Sequence, residues 1–94
     1  MDDIDENFFD RADEHINLSN SQLANANKGI VSASMLYSVA RFNAWVITSG
    51  WNSKNEMENA KEDAIEYFVD QYKKMLKENI EDYIDNFNDY FNKK

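Results

Sequence analysis

Tyr37, Arg41 and Trp45 recur at i, i+4 and i+8 within IVSASMLYSVARFNAWVITSGW, residues 30–51, so on a helix they share one face. A guanidinium between two aromatic side chains offers cation–π contact and a planar, bidentate donor for a carboxylate or another anion. Adding Asn43 gives a candidate anion or partner pocket of Tyr37, Arg41, Asn43 and Trp45. The plainer reading is preferred, that Arg41 ties its helix to an Asp or Glu of a neighbouring helix and fixes register. No carboxylate stands between Ile16 and Asn55, so any such partner must come from another helix.

Other chemistry is thinly represented. His15 is the single histidine, and Ala12 stands where a Glu-x-x-His metal motif needs its glutamate, so His15 is read as a partly exposed structural residue. Glu58, Glu62, Glu66 and Asp70 repeat at i, i+4, but paired acids do general acid–base work only when burial shifts one of them. A solvated helix face is the expectation. Two isolated glycines leave no phosphate-binding loop, and a lone histidine makes no convincing triad. No catalytic residue, cofactor or metal is expected, and the chain is read as not an enzyme.

The elements that would position these residues follow from charge and periodicity. Ninety-four residues make one domain, 1–94. Two Gly and no Pro argue against an all-β fold, which needs frequent turn residues. Zero Cys leaves no disulfide and fits a reducing, cytoplasmic setting. MDDIDENFFDR lacks a basic and then apolar lead, so no signal peptide is expected. The net charge of −8 disfavours nucleic acid and anionic membrane surfaces, because phosphate contacts need Lys and Arg. It also leaves open an acidic mimic of nucleic acid that occupies a basic protein.

Seven carboxylates fall in the first fifteen residues and eleven from Glu56 onward. A carboxylate-free middle between acidic flanks predicts a buried central helix with two outer ones. The spacing of Phe8, Ala12, Ile16, Ser19, Leu23 and Ala26 predicts a first helix over about 5–26, stopped by Gly29 in a left-handed conformation. The second helix starts near Ile30, with Ser32 a candidate cap, and Gly50 closes it. Residues 30–51 are long enough to cross a bilayer, yet Arg41 near the midplane would cost about 2.5–3.5 kcal/mol. A core helix is therefore preferred to a membrane span.

Ser53-Lys54-Asn55-Glu56 forms a capping box that starts the third helix. Met57, Ala60, Ala64, Phe68, Tyr72 and Met75 form one stripe, and Leu76, Ile80, Tyr83, Phe87 and Tyr90 a second that is out of phase with it. Unbroken to residue 92, this helix would run about 57 Å at about 1.5 Å per residue, against about 25–30 Å for a compact domain of this size. A bend or break near Asn79 is expected. The fold class is thus all-α, a small three-helix bundle whose long C-terminal helix is broken near Asn79 into a fourth short one. Ile80, Tyr83, Ile84, Phe87, Tyr90 and Phe91 make the candidate interface, for the core, for a homodimer or for a protein partner.

The strings FFDRADEHINLSN (Phe8 to Asn20), VSASMLYSVARFNAW (Val31 to Trp45), YFVDQYKKML (Tyr67 to Leu76) and ENIEDYIDNF (Glu78 to Phe87) resemble a family of small bacterial proteins whose shared domain has no assigned function. The resemblance covers most of the chain and implies a helical cytoplasmic protein without an established activity. It carries over no functional residue. Among the polar positions inside those strings, Arg11, Asp13, Arg41 and Asn43 are the first candidates for a role.

The sequence therefore supports a soluble, acidic helical protein that acts through protein–protein contacts. An anion or small-molecule pocket around Arg41 is the alternative.

Overall fold

The computed structural model describes residues 4–91. It holds four α-helices and, among the described residues, no strand: α1 (Phe8–Gln22), α2 (Lys28–Ser49), α3 (Lys54–Asp85) and α4 (Phe87–Phe91). They group into two compact units, α1 with α2 and α3 with α4, divided between Asn52 and Ser53.

In the first unit, Arg11 grips Asp5 from the first full turn of α1, with Nη2 donating to Oδ1 at 2.6 Å. This bidentate pair holds the lead-in residues against the helix start. The helix ends four residues before the expected Ala26, because Leu23, Ala24 and Asn25 turn instead through i−3 bonds to Asn20, Ser21 and Gln22. Asn27, not Ser32, then caps α2, its Oδ1 accepting from the Ile30 N–H at 2.9 Å. Gly29 consequently lies inside the first turn of α2 and has no left-handed backbone, contrary to the stop expected there. Gly50 closes α2 as expected, its N–H donating to the Ile47 carbonyl and the Trp51 N–H to the Thr48 carbonyl.

Phe8, Ala12 and Ser19 of α1, with Ala26 of the connecting turn, are half-buried, as are Met35, Asn43 and Ile47 of α2. Val31 alone among the described residues is a buried hydrophobe, at 6% exposure. Within this unit the burial expected of the central helix is only partial. α1 covers one face of α2, and Tyr37, Phe42 and Trp45 stand more than 60% exposed. By length and composition alone Lys28–Ser49 is long and apolar enough to cross a membrane, and its own burial does not account for that apolarity.

In the second unit, Ser53 caps α3 through Oγ, which accepts from the Glu56 N–H at 3.2 Å. Met57, Ala60, Ala64 and Phe68 form a half-buried stripe. The break expected near Asn79 occurs at Asn86 instead. The Asn79 side chain donates to the Met75 carbonyl at 2.8 Å, a bond to the preceding turn that leaves the helix running and provides no cap for a new one. At Asn86 the backbone leaves helical values (φ −117°, ψ 28°), and its carbonyl accepts from the Tyr90 N–H to open α4. The long helix therefore runs 32 residues, about 48 Å at about 1.5 Å per residue.

Candidate functional site

On the outer face of α2, Tyr37, Ser38, Arg41, Phe42, Trp45 and Thr48 line an open recess of about 630 Å³. The helical repeat places Tyr37, Arg41 and Trp45 on this face, as their spacing required. Phe42 and Trp45 pack with ring centroids 5.6 Å apart and close one wall. Ser38 and Thr48 donate their hydroxyl protons to the Ser34 and Ala44 carbonyls, each at 2.9 Å, so those protons serve the helix itself. Donation into the recess is left to the Arg41 guanidinium, the Tyr37 hydroxyl and the Trp45 indole N–H.

Arg41 is exposed and makes no ion pair or hydrogen bond among the described residues. Within the α1–α2 unit the inter-helix tie expected from the sequence is not formed among the described residues. A guanidinium left in water keeps its hydration and needs no carboxylate to offset burial. Asn43 is also placed elsewhere than expected. Two residues on from Arg41 it turns to the opposite face, half-buried, into the groove between α1 and α2. That groove measures about 600 Å³ and is walled by His15, Ile16, Met35, Val39 and Phe42, so it is almost wholly apolar. The four residues proposed from sequence thus divide into three around the recess and one in the groove.

The second candidate surface gathers at the junction of α3 and α4. Tyr83 meets Tyr90 and Phe91 with centroid distances of 4.7 and 5.9 Å, and Phe87 meets Phe91 at 5.1 Å. Asp82 fastens the turn. Its Oδ2 accepts from the Tyr90 hydroxyl at 2.7 Å, and its Oδ1 accepts from the Asn86 amide at 3.0 Å. The carboxylate beside it raises the Tyr90 pKa above its ordinary value, because the bond favours the protonated phenol. Ile80, Tyr83, Ile84, Phe87, Tyr90 and Phe91 all remain about half-exposed or more, so the cluster closes on itself without being covered.

Residues 8–84 match the model of a family described as a protein of unknown function, DUF3144. The chain belongs to the DUF3144 family. The DUF3144 match takes in α1, α2 and α3 up to Ile84, and α4 lies beyond it. The chain is also similar to the NMR structure of the protein NB7890A from Shewanella sp., at 40% identity over 93% of each chain and a TM-score of 0.77. That likeness agrees with the small all-α bundle expected from the sequence. No curated protein matches the chain.

Two features of the site escaped the sequence reading. Asp82 as the latch of the α4 turn carried no local signal, since its partners lie four and eight residues on. The exposed row Ile65, Val69 and Tyr72 continues the second α3 stripe towards the N-terminus, and its four-three spacing was the available clue. Among the described residues no group of three His, Cys, Asp or Glu is placed to hold a metal ion.

Proposed function

We propose that this DUF3144 protein is a cytoplasmic, non-enzymatic helical module that works through protein–protein contacts, self-association first among them. The observation that carries the reading is exposure. Leu76, Ile80, Tyr83 and Phe87 stand 43–49% exposed along one face of the α3–α4 unit. Apolar side chains in a continuous row are the form in which helices meet partners, by i, i+3, i+4 and i+7 anchors. The lack of Cys fits a reducing compartment. Arg41 in the middle of the apolar α2 keeps a membrane span out of the proposal. Light scattering after gel filtration tests self-association: twice the chain mass supports it, and the chain mass at all concentrations removes it.

One observation favours a second reading, that the α2 recess binds a small anion. Arg41 stands there without a carboxylate, beside Tyr37 and Trp45. Titration with inorganic phosphate, followed by Trp fluorescence, tests it. A saturable change lost in Arg41→Met supports the anion reading, and a flat titration ends it.

A further inference from the structure

α3 carries two apolar rows on different faces. Met57, Ala60, Ala64 and Phe68 are half-buried, whereas Ile65, Val69, Tyr72, Leu76 and Tyr83 are exposed. At 3.6 residues per turn the second row lies about 100° around the helix from the first. Its steps of four, three and four from Ile65 to Leu76 are those of a coiled-coil seam, and α3 runs through them without a break. The charges beside the seam are also ordered. Glu66 and Lys73 lie along one edge, and Lys61 and Asp82 along the other.

We propose that α3 docks antiparallel on α3 of a second copy, about a twofold axis between Asp70 and Gln71. This rests on the self-association reading above and names its surface. In that register Val69 meets Tyr72 of the second copy and Ile65 meets Leu76. Along one edge Glu66 meets Lys73, and along the other Lys61 meets Asp82. Symmetry makes every pairing occur twice. A parallel pair would match only Lys61 with Glu66, and would set Lys73 beside Phe68 and Asp82 beside Phe87. The charge pattern therefore selects the antiparallel arrangement. Asp82 already accepts from Tyr90 and Asn86, so the Glu66–Lys73 pairing is the one to test.

Glu66 and Lys73 stand two turns apart in their own helix and are not i, i+4 neighbours, so a coupling between them reports on the second copy. In the full chain, Lys73→Glu and Glu66→Lys are each expected to weaken dimerisation about tenfold, since two attractive pairs become two repulsive ones. The double swap Glu66→Lys with Lys73→Glu restores it. Geometry is read independently by single cysteines in this Cys-free chain, Lys74→Cys and Glu81→Cys, carrying spin labels. Antiparallel docking offsets the two labels along the axis by about 10 Å for Lys74 and about 30 Å for Glu81, at about 1.5 Å per residue. Equal separations at the two sites, or a double swap that does not restore the dimer, overturn this seam alone. A monomeric wild type overturns both the seam and the self-association reading.

Discussion

The Tyr90 hydroxyl donates to the Asp82 carboxylate at 2.7 Å, across the break that separates α4 from α3. Asn86, the residue at the break, bonds the same carboxylate at 3.0 Å. One acidic side chain thus holds both the corner and the returning helix, and it keeps the aromatic cluster together while leaving it open to water.

The latch titrates at high pH. The Tyr90 pKa is raised in the folded chain, so its contribution is complete below the ordinary tyrosine pKa and is lost as pH rises through the folded one. Ultraviolet titration is expected to show one tyrosine ionising later than the others, and Tyr90→Phe to remove that late component. Asp82→Asn should return it to the main wave.

Arg41→Met should leave thermal stability unchanged, since the guanidinium has no ion pair or hydrogen bond to lose among the described residues. Calorimetry of the pair of proteins checks this. A clear fall in the unfolding midpoint would return Arg41 to the role of an inter-helix tie.

Caps and the misplaced glycine give opposite signs. Ser53→Ala removes the acceptor for the Glu56 N–H and is expected to cost about 1 kcal/mol. Asn27→Ala should cost a similar amount at the start of α2. Gly29→Ala, inside a helical turn where a Cβ would meet only Asn27 Oδ1 at 3.5 Å, should stabilise by about 0.5–1 kcal/mol. Urea unfolding of the three variants reads all three signs.

Those three sites show what the sequence carried and what it did not. The Ser53 cap was legible because a capping box is local, complete within four residues. Gly29 misled because a glycine near a helix end serves equally as a stop or as a tolerated residue of the next first turn, and Asn27 decided the matter by capping ahead of it. The break was misplaced for a related reason. Asn79 and Asn86 are the same residue type and both donate to the carbonyl four residues back; Asn86 differs in also bonding the Asp82 carboxylate, which Tyr90 bonds from the far side of the corner. The i, i+4 geometry of Tyr37, Arg41 and Trp45 was readable from spacing, whereas the burial assigned to their helix was not. Apolar composition states that a face wants cover and is silent on whether the chain itself supplies it.

At the other end of the chain, the Asp5–Arg11 pair predicts an acid-labile start to α1. The hydrogen bond from Arg11 lowers the Asp5 pKa, so its contribution is present above the ordinary aspartate value and is lost as pH falls through the folded one. Both side chains are half-exposed, so the effect is expected to be local. Amide exchange at Phe8 to Arg11 should quicken below that pH, and Arg11→Met should show the quickened rate at neutral pH already.

Docking of the exposed α3 row on a second copy is decided by sedimentation of the wild type beside Leu76→Glu. Leu76 is 43% exposed in the chain, so the substitution places a charge in water and leaves the helix itself intact. The wild type is expected at twice the chain mass, shifting to the chain mass on dilution, and the variant at the chain mass throughout with unchanged helicity. A wild type that sediments at the chain mass at every concentration, or a variant that dimerises as well as the wild type, would contradict it.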